Sequence, residues 1–216
     1  MTLIVGTRCS DGIILAADCR SVAKYERGPE TTKLSRLNSG VVLAGAGDIA
    51  VLHEAKILVE RKVDETHSQS PEIRIFDIVE ITASVVNELV NLYQDKVEEP
   101  FGFALVGLEN INSGKAKLYT IFGGGLLDVP WLCLGSGSPY ARPLVELLLA
   151  NGNLHINEAA KIIPVIFAMV ANVQITVGGG IDICQISDDK GSYNIFHAEE
   201  TNLDSLCKMI LDTILA

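Results

Sequence analysis

Three residue types near the start of the chain could together activate a nucleophile. Thr2 stands second in MTLIVGTRCSDGIILAADCRSV, Asp18 closes the apolar run IILAA, and Lys33 opens KLSRL. A threonine hydroxyl holds its proton too tightly to attack a carbonyl near neutrality, so it needs a base. A small second residue permits removal of the initiator Met. Thr2 would then carry a free α-amine, whose ordinary pKa of about 7.7–8.0 leaves a useful neutral fraction near pH 7. One residue would supply both nucleophile and base. An ammonium beside the hydroxyl, such as that of Lys33, would stabilise negative charge on its oxygen, and the Asp18 carboxylate would hold that ammonium in place. The glycine-rich LAGAGD segment around Gly45 offers backbone N–H groups to a developing oxyanion. Each residue also has a plain reading: a strand-edge hydroxyl, a surface Asp, a surface Lys, a turn into a helix.

Hairpins are the elements that must bring these residues together. TLIVGTRC and GIILAAD flank Ser10-Asp11-Gly12, and KLSRL and GVVLAGAG flank Asn38-Ser39-Gly40, so two β-hairpins are expected. Asp48 can cap a helix whose apolar face is Val51, Leu52, Ala55, Leu58 and Val59, ending at the polar stretch DETHSQSPE. A second helix runs from Ile75 to Tyr93. Phe101–Leu108 and Ala116–Ile121 form a hairpin around INSGK, and LLDVPWLCLG follows as one more strand. Ser138-Pro139 starts a helix with Leu144, Leu147 and Leu148 inward. The next helix starts at Asn157-Glu158, carries Ala159, Ile162, Ile163, Ile166 and Val170, and is expected to bend at Pro164. GIDICQIS and SYNIFHA form a last hairpin, and Leu203–Leu215 a terminal helix. Antiparallel sheets with two inserted helix pairs predict an α+β fold, a four-layer αββα sandwich, in a single domain over residues 1–216.

Composition narrows the partners. The 216 residues carry a net charge of −10, which disfavours nucleic acid and anionic membrane surfaces. No uninterrupted apolar stretch reaches the roughly 18 residues of a membrane span, and the amino terminus does not read as a signal peptide. Cys9, Cys19, Cys133, Cys184 and Cys207 form no C-x-x-C pair, so buried free thiols in a reducing cytoplasm are expected. His53, His67, His155 and His197 are far apart in sequence, so neither a metal nor another cofactor is expected.

Taken together, TLIVGTRCSDGIILAAD.R, TTKL, VVLAGAGD, LGSGSPYA and GGGIDICQI resemble, in order and spacing, the β-type subunits of the 20S proteasome. These belong to the amino-terminal-nucleophile (Ntn) hydrolases, threonine peptidases with an αββα sandwich. The resemblance implies that Thr2 is the nucleophile, that Asp18 and Lys33 hold the family's acid and lysine positions, and that the Gly45 N–H lines the oxyanion hole. It implies that Ser136 orients the threonine amine and relays protons, and that Arg20 is structural. The α-type subunits carry an extra helix before the first strand, so this chain looks β-type. Also implied are a cytoplasmic ring-forming oligomer, with or without an α-type partner ring, and unfolded protein or peptide substrates.

Two departures bear on activity. The family's Asp and Ser just before the final glycines are replaced here by Gln174 and Val177. The segments KLSRLNSGVVLAG and AGAGD are also shorter than usual beside the expected specificity pocket. No long propeptide is expected, so Met removal rather than autocleavage would free Thr2. An active divergent peptidase, a non-catalytic structural ring subunit, and an Ntn amidase or transpeptidase are therefore all compatible with the residues.

Overall fold

The computed structural model describes residues 2–23, 26–28, 30–69, 73–93, 102–110, 113–122, 125–150, 152–188, 193–199 and 205. The expected terminal helix Leu203–Leu215 and Cys207 lie outside the described residues. Strands β1 (Ile4–Cys9), β2 (Gly12–Asp18), β10 (Trp131–Leu134), β11 (Ile181–Ser187) and β12 (Tyr193–Ala198) form one sheet in the order β10-β1-β2-β11-β12. Strands β5 (Leu34–Arg36), β6 (Val42–Ala46), β7 (Gly102–Asn110), β8 (Ser113–Phe122) and β9 (Gly125–Asp128) form the other, in sequential order. A two-stranded ribbon, β3 (Val22–Ala23) and β4 (Glu26–Arg27), lies apart from both. Every strand pairing is antiparallel.

Side-chain alternation along β2 creates the layers. Successive residues on a strand point to opposite faces. Ile14 and Ala16 pack outward with helices α3 (Ser138–Leu148) and α4 (Ile156–Val173). Ile13, Leu15 and Ala17 pack inward against Val42, Ala44, Ala104, Val106 and Leu118 of the facing sheet. On the far side of that sheet, Leu43, Phe103, Leu105 and Ile121 meet helices α1 (Ile49–Gln69) and α2 (Ile75–Tyr93). The result is the four-layer αββα sandwich. Because β2 is covered on both faces, its sequence is a continuous apolar run rather than an alternating one.

Four local expectations change. Helix α1 continues through DETHSQ to Gln69, with the Thr66 and Ser68 hydroxyls bonding back to the carbonyls of Lys62 and Asp64. The polar stretch is an exposed helix end rather than a break. LLDVPWLCLG is two strands in different sheets, because the chain crosses between layers at Val129-Pro130. Pro130 has no N–H to give a ladder, and its carbonyl instead accepts from Arg8 N–H at 2.8 Å. The inward face of α3 is Ala141 and Val145; Leu144 and Leu148 flank it, and Leu147 is 77% exposed. In α4 the buried stripe includes Ile163, Ile166, Phe167 and Val170, while Ile162 lies half-buried at its edge. This helix alone among the described residues is long and apolar enough to cross a bilayer, yet its apolar stripe is seated on the sheet. Cys19, Cys133 and Cys184 are buried free thiols and Cys9 is half-buried; burial pushes all four up to about 12.

Candidate active site

Asp18 ends β2 one strand away from the start of the chain, and its side chain is fully buried. Antiparallel pairing puts Ala17 opposite Ile4, so Asp18 falls beside Leu3, the residue after Thr2. The two residues exchange bonds: Asp18 N–H donates to the Leu3 carbonyl at 3.1 Å, and Leu3 N–H donates to Asp18 Oδ1 at 2.8 Å. The same Oδ1 accepts from Lys33 Nζ at 2.7 Å. Gly178 N–H donates to the other oxygen at 3.2 Å. One carboxylate thus ties together the first strand, the entry to β5 and the loop before β11.

Burial pushes the Asp18 carboxyl up and the Lys33 ammonium down, and each is drawn back by the other's charge and hydrogen bond. Lys33 Nζ also donates to the Arg20 carbonyl at 2.8 Å. Arg20 is buried and donates from Nη1 to the Ile175 carbonyl at 2.7 Å, while its N–H donates to the Gly178 carbonyl at 2.7 Å. It clamps the 174–178 loop against the end of β2, which is the structural part expected of it.

The other wall of the site comes from the β10–α3 turn. Thr2 N donates to Ser136 Oγ at 3.3 Å, and Gly137 N–H donates to the Thr2 carbonyl at 3.1 Å. While Met1 is attached this nitrogen is an amide, and it marks the place the free amine would take. Gly135 has φ of +87°, and a Cβ there would fall 2.1 Å from the Thr2 carbonyl oxygen. Only glycine permits the turn to come this close.

Sequence reasoning missed Thr176. Its buried hydroxyl lies 3.3 Å from Ser136 Oγ. Val177, where the family places a hydroxyl, is instead fully buried in the layer between α4 and the sheet, beside Leu3 and Gly137. The apolar Val177 fills the core, and the hydroxyl near Ser136 is that of the adjacent Thr176. Gln174 donates from Nε2 to the Ser136 carbonyl at 3.4 Å, a positioning contact without charge. The only sequence signal for Thr176 was a hydroxyl next to the position that lacked one.

The structure therefore brings together two hydrogen-bonded pairs, Thr2 with Ser136 and Asp18 with Lys33, joined through the backbone of Leu3. Gly45 lies on the facing sheet, on β6 opposite Phe103. A Cβ there would come within 2.8 Å of Leu52 Cδ2 and 3.1 Å of Phe103 Cε1, so the glycine has a packing reason of its own.

A family model described as proteasome subunit matches residues 2–186. The chain belongs to the proteasome subunit family. Its family relatives carry both subunit names. A proteasome subunit beta of Nanoarchaeum equitans is 29% identical over 202 residues, covering 91% of this chain and 97% of the relative. A proteasome subunit alpha of Methanococcus maripaludis strain C7 is 26% identical over 189 residues, covering 87% of this chain and 70% of the relative. Among solved structures, the Gly-1 mutant of Anbu from Hyphomicrobium sp. strain MC1 superposes with a TM-score of 0.84 at 19% identity, covering 99% of this chain and 95% of that one. Anbu (ancestral beta-subunit) from Yersinia bercovieri gives 0.82 at 16% identity with the same coverage. These two structures share the proteasome-type αββα fold with this chain.

Proposed function

We propose that this proteasome-family subunit is a β-type threonine peptidase whose nucleophile is Thr2 once the Met1–Thr2 bond has been cleaved. The observation that carries this reading is the doubly shared Asp18 Oδ1. It holds Leu3 N–H and Lys33 Nζ at 2.8 and 2.7 Å, and so anchors the Lys33 ammonium on the same oxygen as the backbone N–H that directly follows Thr2. Thr2 Oγ1 attacks a peptide carbonyl carbon while the α-amine takes the hydroxyl proton. The Gly45 N–H receives the oxyanion, and the Lys33 ammonium stabilises negative charge on Oγ1. The peptide C–N bond breaks, the amine's proton passes to the leaving nitrogen, and an ester remains on Thr2. Water, deprotonated by the same amine, hydrolyses the ester and restores the site. Membership of the proteasome subunit family supports ring assembly with like or α-type subunits, and the substrates proposed for that ring are unfolded chains in the cytoplasm.

Intact-mass measurement of the native protein, before and after an electrophilic peptide inhibitor, tests this directly. The expected result is a chain lacking Met1 with one adduct that maps to Thr2. An active protein that retains Met1 would falsify the mechanism.

Thr176 is a positioning residue in this scheme. With Ser136 donating to Thr176, the Ser136 lone pair is left facing the Thr2 amine. Thr176→Val keeps the volume and removes the hydroxyl. A hydrogen bond of this kind contributes about 0.5–1.5 kcal/mol, so kcat is expected to fall several-fold to about tenfold with KM unchanged. Ser136 favours the ammonium form of the amine by accepting from it. Freed to donate, it lowers the amine pKa, and the acid limb of kcat/KM moves to lower pH. Thr176→Ser restores the wild-type profile. An unmoved limb in Thr176→Val rules the relay out.

A further inference from the structure

A second group of chemically capable side chains sits at the end of the inter-sheet face, on the strands next to the threonine site. Asp182 on β11 and His197 on β12 are directly paired across the ladder, so they share one face of the sheet. Asp182 also pairs with Ala17 of β2, and Cys19 lies two residues beyond Ala17, on that same face. The register alone thus converges three residues that lie 15 and 163 positions apart in sequence. Their donor atoms, Cys19 Sγ, an Asp182 carboxylate oxygen and an imidazole nitrogen, all lie within 4.8 Å of one another.

How the three atoms face each other separates two chemistries. In a thiol–imidazole–carboxylate relay the thiol and the carboxylate address opposite ring nitrogens. Here both address the same one: His197 Nδ1 is 3.8 Å from Cys19 Sγ and 2.9 Å from Asp182 Oδ1. The three donor atoms are thus close enough to share one ion. A tetrahedral zinc with ordinary bond lengths holds a sulfur and a nitrogen ligand about 3.6 Å apart, close to the separation found, and a nitrogen and an oxygen ligand about 3.3 Å apart. The His197–Asp182 contact has to open by only a few tenths of an ångström.

Two neighbours are built around this arrangement. The Thr32 hydroxyl donates to Asp182 Oδ2 at 2.6 Å, which orients the carboxylate and leaves Oδ1 facing the histidine. Gly180 has φ of +80°, and a Cβ there would come within 2.8 Å of His197 Cε1 and 3.1 Å of Nε2. Its absence makes room for the ring. Cys19 and Asp182 are buried, while the His197 side chain is 43% exposed and gives an ion its way in.

We propose that Cys19, Asp182 and His197 form a three-ligand site for a zinc-class divalent cation, with the fourth position open to solvent. Soft thiolate, imidazole and one carboxylate select zinc or cobalt over calcium or magnesium. Binding exchanges the thiol proton for the metal, so one proton leaves per ion and affinity rises with pH. Cys19 adjoins Asp18 and Thr32 adjoins Lys33, so occupancy bears on the backbone that carries both charged residues of the threonine site. The site does not depend on whether Thr2 is a nucleophile.

Cobalt(II) titration of the full, tag-free chain tests it. One equivalent is expected to produce a near-ultraviolet thiolate-to-cobalt charge-transfer band that zinc then displaces. Cys19→Ser removes the band. His197→Ala, an exposed position whose replacement leaves the far-ultraviolet circular dichroism unchanged, weakens binding at least tenfold. No band in the wild type overturns the site, as does a band that survives Cys19→Ser and so belongs to another cysteine. Should Cys19→Ser fail to fold, undiminished affinity in His197→Ala overturns the site by itself.

Discussion

Lys33→Met is expected to lower the unfolding free energy by about 3–5 kcal/mol near pH 8, the usual cost of leaving a buried charge without its partner. Asp18 is fully buried and Lys33 nearly so, so solvent does little to screen the loss. The variant keeps the Leu3 and Gly178 N–H groups on the carboxylate, which is why the cost stays finite. Its pH dependence has a definite sign. Burial already pushes the Asp18 carboxyl above its ordinary value, and removing the ammonium pushes it further. A folded state that holds its proton more tightly than the unfolded chain loses stability as pH rises through the folded pKa, and regains it on acidification. The penalty relative to wild type therefore shrinks towards about pH 5. The double variant Asp18→Asn/Lys33→Met recovers most of the loss, because no charge is stranded. Denaturant titrations at both pH values check this, and a penalty below about 1 kcal/mol, or one equal at the two, contradicts the pairing.

Thr2→Ala is expected to reduce peptide hydrolysis by at least about 10⁴-fold, in line with removal of the nucleophile from a hydrolase whose parts act as a unit. Thr2→Ser keeps an hydroxyl on the same carbon and retains measurable turnover. Both variants should unfold within about 1 kcal/mol of wild type, since each removes little more than a small buried group. The measurement is steady-state cleavage of a fluorogenic peptide, with unfolding midpoints recorded on the same preparations. Substantial activity in Thr2→Ala would move the nucleophile elsewhere. An assembled wild type that lacks Met1 and cleaves nothing would mark a structural ring subunit.

Much of this was legible in the residues because local rules sufficed. Ser10-Asp11-Gly12 and Asn38-Ser39-Gly40 announced their hairpins, and α2 runs over the expected Ile75–Tyr93. Asp48 caps α1 as anticipated, its Oδ1 accepting from the N–H groups of Ala50 and Val51. What escaped was decided by tertiary context. The strand break at Pro130 depends on which sheet each half joins. The inward face of α3 is set by small Ala141, which lets the helix approach the sheet, and not by the leucine count. Thr176 could not be ranked above Val177 without knowing which of them faced the core. The Cys19–Asp182–His197 group was invisible for a simpler reason: sequence distance separates residues that strand register unites.

The three-way grip of the Asp18 carboxylate also orders events in time. Thr2, Asp18 and Lys33 leave the ribosome early, but Ser136, Thr176 and Gly178 follow only after most of the chain has been made. β2 cannot gain its β11 neighbour before then. A nascent chain accordingly carries the lysine and carboxylate without the loop that seats them, and non-local pairings of this kind close late in folding. On the proposed peptidase reading, a growing polypeptide lacks its assembled site, and a ribosome that stalls before the last hairpin releases a chain unable to cut its neighbours.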